Sequence, residues 1–187
     1  MIHRHFIIHK PFGMLSQFVN NITRKKKLLG DLYDFPIGTM AIGRLDANSE
    51  GLLFLTTDGR KSEEIRSKYF EKEYYVQVDG LINQESILKL QSGVEIGFEG
   101  KKYTTIPCRV KLLKESPNIP SRTKKIRDER HGPTSWVSIT LTEGKFRQVR
   151  KMTAAVGFPT LRLIRVRIGA VLLGEMKEGE VIELKET

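Results

Sequence analysis

The stretch 41–59, AIGRLDANSEGLLFLTTDG, constrains the fold more than any other part of the chain, because two apolar segments flank a short polar turn. Residues 41–42 precede the turn and residues 52–55 follow it, a pattern typical of two strands joined by a tight connection. Gly43 and Gly51 bracket the turn, as expected where the backbone adopts unusual dihedral angles or approaches another group closely. We therefore predict a strand, a tight polar turn and a second strand.

The polar turn carries Asp46, a carboxylate between two apolar segments. Burying a carboxylate is costly unless a partner compensates its charge or the group takes part in chemistry. Aspartates in loops often cap the turn itself, here through Asn48 or Ser49. The residues alone leave both interpretations of Asp46 open.

The complete string resembles a known signature. G-R-L-D-x-x-S-E-G-L-L-x-L-T-x-D-G is similar to the signature of the RsuA-type ribosomal RNA pseudouridine synthases. In that family the aspartate of R-L-D is catalytic, which implies this role for Asp46. The resemblance also implies that Arg44 enters the space left when the target uridine is flipped out of its stack.

Two further strings resemble motifs of the same family. Residues 72–76, KEYYV, resemble K-x-Y-x-V, which implies that Tyr74 stacks on the target uracil and is placed to take a proton. The string EGKFRQVRKM resembles E-G-x-x-R-Q-V-R-R-M, which implies that Arg150 pairs with the catalytic aspartate. Such a cation keeps a carboxylate ionised and oriented.

The beginning of the chain resembles the start of the family's catalytic domain. FIIHKPFGMLSQF is similar to N-K-P-x-x-x-L-x-Q-F, with His9 in place of the usual asparagine. Most family members carry a small S4 domain before this point, and we expect it to be absent here. The strings PTSW, RQVRKMTA and VGFPTLRLIR resemble the large-subunit synthase E subgroup most closely, which implies a uridine of 23S RNA as the substrate.

The charge balance favours a polyanionic partner. Lys and Arg number 32 against 22 Asp and Glu, giving a formal net charge of +10. This excess favours nucleic acid before membrane, although a merely basic protein would show it too. No apolar run approaches the ~20 residues that span a bilayer, and the N-terminus lacks the apolar core of a signal peptide. With a single cysteine, Cys108, the chain is expected to be cytoplasmic.

The candidate RNA contacts are mostly basic. Segment 117–133 contains three prolines and few apolar residues, so it is either a phosphate-binding surface loop or a plain linker. The basic run 24–27 is either a solvated surface or a phosphate contact. The basic residues of the loop are Arg122, Lys124, Lys125, Arg127 and Arg130; the other candidate contacts are Lys72, Arg147, Gln148, Lys151 and Arg165.

We expect no metal and no cofactor. His3, His5 and His9 share one parity along a predicted strand, so their side chains project to one face. A metal site would need further ligands, and no zinc-type spacing is present. The isomerisation itself involves no redox change.

The fold implied by the resemblance is α+β, with a central mixed, largely antiparallel sheet, flanking helices and two subdomains around a basic catalytic cleft. We expect one catalytic domain over 1–187, with the subdomain boundary near 60–72. The hydrophobic patterns predict strands at 4–10, 73–79, 94–98, 103–113, 135–141, 161–168 and 181–184, and helices at 62–68, 83–93 and 146–156.

The predicted function is the conversion of one uridine of ribosomal RNA, in 23S RNA near the peptidyl-transferase region, to pseudouridine. The alternatives are a non-catalytic RNA-binding or ribosome-assembly protein, and a synthase that acts on 16S or transfer RNA. The sequence leaves two chemical routes open, attack of Asp46 on C1′ or removal of the 2′ proton. A monomer is the simplest expectation.

Overall fold

The computed structural model describes residues 3–19, 26–66, 70–122 and 124–185 of the 187-residue chain. The chain divides into two compact units, 1–70 with 165–187 and 71–164. Arg24 and Lys25 of the basic run, and Ser67 and Lys68 at the end of a predicted helix, lie outside the described residues.

The first unit is built around one fully buried strand. β3 (Glu50–Thr56) is buried at every position, as its apolar run 52–55 requires. It pairs antiparallel with β1 (His5–Lys10), which in turn pairs antiparallel with β11 (Val181–Leu184). β2 (Met40–Ile42) also pairs with β3. The remaining elements of this unit are α1 (Gly59–Arg66), the second half of β9 (Thr160–Ile168) and β10 (Val171–Leu172).

The second unit centres on β8 (Thr134–Leu141), which pairs antiparallel with β4 (Lys72–Asp79) on one side and β7 (Arg109–Leu113) on the other. β4 alternates strictly, so Tyr74, Val76 and Val78 are buried while the residues between them are only half-buried. The remaining elements of the second unit are α2 (Gln84–Ser92), β5 (Glu95–Phe98), β6 (Lys101–Thr104), α3 (Gln148–Ala155) and the first half of β9.

The predicted fold class is confirmed. The sheet is mixed and mostly antiparallel, and short helices accompany it, which makes the protein α+β. The predicted helix between Asn83 and Gly93 is also confirmed: the Asn83 side chain accepts a hydrogen bond from the Ser86 amide at 2.8 Å, and Gly93 follows the last helical residue with φ 101°. No helix within the described ranges is long and apolar enough to cross a bilayer.

The single strand predicted over 103–113 is wrong. The segment forms two strands, β6 and β7, which belong to different sheets and are separated by 105–108. Pro107 has no amide hydrogen to donate to a ladder. On either side of it, the Thr105 amide bonds to the Val94 carbonyl and the Cys108 amide to the Gln91 carbonyl, both at 3.0 Å, so the backbone leaves the strand direction.

The helix predicted from residue 146 begins later, at Gln148. Arg147 precedes it with φ 53°, a left-handed conformation that cannot continue a right-handed helix. Phe146 is exposed. The helix predicted from residue 62 begins earlier, at Gly59, because the Asp58 side chain accepts a hydrogen bond from the Arg60 amide at 2.9 Å.

Candidate active site

The turn between β2 and β3 holds Asp46 in a half-buried position. The Asp46 carbonyl accepts a hydrogen bond from the Ser49 amide at 3.0 Å, which closes the turn. Arg44 is exposed and Leu45 is buried, so the buried leucine anchors the turn between two charged side chains that remain accessible. This arrangement presents a carboxylate and a guanidinium, two residues apart, to a ligand.

The segment after β1 fixes this turn from outside. The Ser16 hydroxyl donates to the Leu45 carbonyl at 2.8 Å and accepts from the Leu45 amide at 3.0 Å. The Gly13 amide donates to the Ala47 carbonyl at 2.6 Å. The backbone is therefore held on both sides of Asp46, which limits the motion of the carboxylate before a substrate binds. The sequence analysis missed Ser16, and only its place in the KPFGMLSQF string marks it.

Gly51 is the second residue of β3, the strand that leaves the turn, and only glycine fits there. Its φ is 106°, and a Cβ atom would lie 2.3 Å from the Arg165 carbonyl oxygen. Gly43, at the other end of the turn, has φ 71°, and a Cβ atom there would have nothing within 4 Å. The close packing of β3 on β9 therefore depends on Gly51.

Lys10 is a buried cation that the sequence analysis also missed. Its side chain has no exposed surface, and its ammonium donates to the carbonyls of Pro11 at 2.9 Å and Met14 at 2.8 Å. Burial lowers the pKa of Lys10 to about 7, although the nearby carboxylates of Glu50 and Asp46 favour the charged form. Lys10 thus lies within the electrostatic field of Asp46.

Because of Lys10, the free energy of unfolding is expected to rise as the pH rises from 7 to 9. Its pKa is about 7 in the folded protein against 10.5 normally, so in this range the unfolded chain keeps a proton that the folded protein has lost. The free energy of unfolding should increase by about 2 kcal/mol, measured by urea denaturation. Above pH 9 a second group opposes this rise in stability. Burial raises the pKa of Cys108 to about 11, so the folded protein keeps a thiol proton that the unfolded chain has lost.

Two variants test the source of this pH dependence. Lys10→Met removes the titrating group, so its free energy of unfolding should vary much less between pH 7 and 9. Lys61→Met, which removes an exposed lysine of the same unit, should keep the wild-type dependence. An undiminished dependence in Lys10→Met would contradict the assignment.

In the second unit, β4 carries the K-x-Y-x-V motif. Tyr74 is 9% exposed and lies on the same strand face as Val76, whereas Tyr75 lies on the opposite face. The Lys72 ammonium donates to the Thr142 carbonyl at 3.4 Å.

The turn before α3 is organised by a buried carboxylate, Glu143. It accepts hydrogen bonds from the Ile106 amide at 2.9 Å, the Gln148 side-chain amide at 2.7 Å and the Tyr103 hydroxyl. The Gln148 oxygen in turn accepts from the Lys145 amide at 3.0 Å. Gln148 is therefore buried and used within the protein, and Glu143 is a supporting residue that the sequence analysis did not single out.

The cations of this segment occupy different environments. Arg150 is half-buried and its guanidinium lies 3.5 Å from the Thr160 carbonyl. Lys151 donates to the Gly97 carbonyl at 2.7 Å and lies over the Phe146 ring, 5.5 Å from its centroid. The left-handed conformation of Arg147 turns its backbone away from the helix direction.

Arg165, in the first unit, is 5% exposed and donates to the Leu52 carbonyl at 2.8 Å. It braces β3 from the neighbouring strand, and its burial limits contact with a large ligand.

Several side chains of the predicted basic loop bond to other residues of the loop or to β4. Arg130 pairs with Asp128 at 2.6 Å, and the Arg122 guanidinium donates to the Lys124 carbonyl at 2.7 Å. Arg127 pairs with Asp79, the last residue of β4. Lys124 and Lys125 are exposed.

Two of the three histidines of the predicted strand make hydrogen bonds within the protein. His5 Nδ1 bonds to the Thr56 hydroxyl and His9 Nδ1 to the Met176 carbonyl, each at 2.8 Å. Among the described residues, no group of three His, Cys, Asp or Glu side chains is placed to hold a metal ion.

Comparisons with known proteins agree with the motifs. The family model of the RNA pseudouridylate synthases matches residues 4–155. Ribosomal large subunit pseudouridine synthase E of Vibrio parahaemolyticus is 41% identical over 184 residues, covering 96% of this chain and 73% of that protein. The synthase E of Xanthomonas axonopodis is 40% identical over 165 residues, covering 87% and 84%.

The structural comparison supports the same conclusion. A crystal structure of a pseudouridylate synthase superimposes with a TM-score of 0.77 and 27% identity, covering 98% of this chain and 71% of that one. The expected pseudouridine synthase fold is thereby confirmed. The chain, with its G-R-L-D turn and its R-Q-V-R helix, belongs to the RNA pseudouridylate synthase family of isomerases.

Proposed function

We propose that the protein converts a uridine of ribosomal RNA, in the 23S molecule, to pseudouridine with Asp46 as the essential carboxylate. The observation that carries this proposal is the turn around Asp46, whose backbone Ser16 and Gly13 hold on both sides while its side chain stays half-buried beside exposed Arg44. The relatives named large subunit synthase E support the choice of RNA.

The proposed reaction begins when the uridine leaves its stack, which costs a few kcal/mol, and Arg44 takes its place. Asp46 then promotes cleavage of the bond between N1 and C1′, either by attacking C1′ or by removing the 2′ proton. The freed uracil turns and forms a new bond from C5 to C1′. On the first route this displaces the Asp46 carboxylate from C1′, and on the second C2′ regains the proton that Asp46 removed. The C5 proton leaves and N1 regains a proton, so no atoms are gained or lost and no redox partner is needed.

The other residues have proposed roles toward the RNA. Tyr74 stacks on the uracil and assists removal of the C5 proton. Arg150 contributes the positive charge that keeps the catalytic carboxylate ionised. Further cations are proposed to contact the phosphate backbone: Lys72, Arg147, Lys151 and the basic loop residues Arg122, Lys124, Lys125, Arg127 and Arg130. The burial of Gln148 and Arg165 favours a supporting role for both.

The deciding experiment maps pseudouridine on fragments of 23S, 16S and transfer RNA after incubation with wild type or Asp46→Asn. Carbodiimide-dependent stops of primer extension report the modified position. We expect one stop in 23S RNA with wild type and none with the variant. A stop in another RNA would correct the substrate. RNA binding without any stop would favour the non-catalytic alternative.

Tyr74→Phe keeps an aromatic ring but removes the hydroxyl. If the hydroxyl assists proton removal, the rate at saturating RNA should fall by about 10²-fold while RNA affinity stays near wild type. Tyr75→Phe is the matched control, because this tyrosine lies on the opposite face of the same strand. Equal rates in the two variants would remove the proton-transfer role and leave only stacking.

A further inference from the structure

Within the loop segment 121–134, residues 121–122, 124–128 and 132–134 border a pocket of about 560 Å³ in the second unit. All of its lining residues belong to this unit, whereas the turn that carries Asp46 belongs to the other. Its lining includes five cations and one carboxylate: Arg122, Lys124, Lys125, Arg127, Arg162 and Asp128. The charge of the pocket is therefore strongly positive, as expected for an anion site.

Two of these arginines are held in place by the protein. Arg162, on β9, is 6% exposed and donates to the Pro120 carbonyl at 2.8 Å. Arg127 donates to Asp79 and, at 3.3 Å, to the Pro133 carbonyl. The buried Nε of Arg127 makes no hydrogen bond within the described part of the chain. Two fixed guanidinium groups therefore contribute to the lining of the pocket.

The ion pair between Arg127 and Asp79 ties the segment to β4. Asp79 ends that strand and its side chain is 43% exposed. The bond from Arg127 holds the pKa of the Asp79 carboxyl below its usual range, which shows that the pair favours the charged carboxylate. The Gln77 side chain, two residues earlier on β4, donates to the Thr134 hydroxyl at 3.0 Å and joins the end of the segment to the same strand.

We propose that this pocket binds a backbone phosphate of the substrate RNA, and that the pair of Asp79 with Arg127 preorganises it. Guanidinium groups present forked donors that match phosphate oxygens, and a fixed arginine loses less conformational entropy when it binds. Exposed Lys124 and Lys125 at the rim suit a polyanion that extends beyond the pocket. The proposal rests on RNA being the substrate.

The first test compares the affinity of the variants for a 23S fragment spanning the peptidyl-transferase region, by fluorescence anisotropy at several salt concentrations. Arg127→Ala and the double variant Lys124→Ala with Lys125→Ala should each bind about 10-fold more weakly, with a reduced dependence on salt. Lys101→Ala, which removes one exposed cation from β6, should change affinity less than about twofold. Equal losses in Arg127→Ala and Lys101→Ala would overturn the proposal.

Asp79→Ala separates a preorganised pocket from simple attraction by net charge. The variant removes a negative charge, so attraction by net charge alone predicts tighter RNA binding. The proposal predicts binding weaker by about threefold or more, because Arg127 loses the partner that orients it. Asp79 is a surface residue, and thermal unfolding will establish that the variant folds. Unchanged or tighter binding would overturn the preorganising role.

The rate of pseudouridine formation at saturating RNA distinguishes failure of this proposal from failure of the proposed function. For the pocket variants, the RNA concentration that gives half of the maximal rate should rise about as much as their affinity falls, because a phosphate contact contributes to binding of RNA. A rate that stays low at saturation would contradict a pure binding role. If wild type itself forms no pseudouridine, the proposed function fails, while the affinity comparison still decides whether the pocket binds RNA.

Discussion

Asp46→Asn is expected to lower the rate of pseudouridine formation at saturating RNA by about 10⁴-fold or more, the scale seen when an essential nucleophile or base is removed. Asparagine has nearly the same shape, and the bonds that hold the turn run through the backbone of Leu45 and Ala47 and the side chain of Ser16. The fold and the affinity for RNA should therefore remain close to wild type. Single-turnover kinetics together with anisotropy measure both quantities.

Asp34→Asn is the matched control for this prediction. Asp34 is an exposed aspartate of the same unit, so the substitution removes the same charge outside the turn. Its rate should equal that of wild type. A residual rate in Asp46→Asn within about 10-fold of the control would contradict the catalytic role, because loss of the essential carboxylate cannot be so mild.

Gly51→Ala is expected to lower the free energy of unfolding by about 3–5 kcal/mol, the sum of a strained backbone conformation and a steric clash. The φ of 106° is unfavourable for alanine, and the new Cβ would lie 2.3 Å from the Arg165 carbonyl oxygen and 2.7 Å from its amide nitrogen. Both contacts are with backbone, so no side chain can rotate to relieve them. Urea denaturation gives the free energy directly.

Gly174→Ala separates the two contributions. Gly174 also has a positive φ, 55°, but a Cβ there would have nothing within 4 Å. The control should lose only about 1 kcal/mol, the cost of the left-handed conformation. Equal losses at the two positions would show that the strand around Arg165 yields easily and that Gly51 is needed for its conformation alone.

Local patterns in the sequence were sufficient for much of the fold. The alternation of residues 73–79 predicts β4, the apolar run 52–55 predicts the centre of β3, and Asn83 with Gly93 delimits α2. These features depend on interactions between residues a few positions apart, such as the 2.8 Å bond from the Ser86 amide to the Asn83 side chain. The three motifs likewise led to the family, because each is a continuous string.

The failures of local reasoning have specific physical causes. The β propensity of residues 103–113 suggested one strand, but Pro107 interrupts the ladder and the two halves pair with different partners. The helical pattern continued back to Phe146, but Arg147 adopts a left-handed conformation and the helix begins after it. At this turn the buried Gln148 side chain donates a hydrogen bond to Glu143. At 105–108 the bonds to the Val94 and Gln91 carbonyls outweighed local propensity, whereas the start of α3 follows from the conformation of Arg147.

The sequence by itself determined most of the elements, the family and the identity of the candidate carboxylate. Only the tertiary structure showed that Ser16 clamps Leu45, 29 residues away, that Lys10 is buried near Asp46, and that Arg127 reaches Asp79, 48 residues away. Such contacts carry no local signature, because any polar side chain can bond to a distant group once the fold brings them together. Their energies depend on burial and geometry, which exist only after the chain has folded.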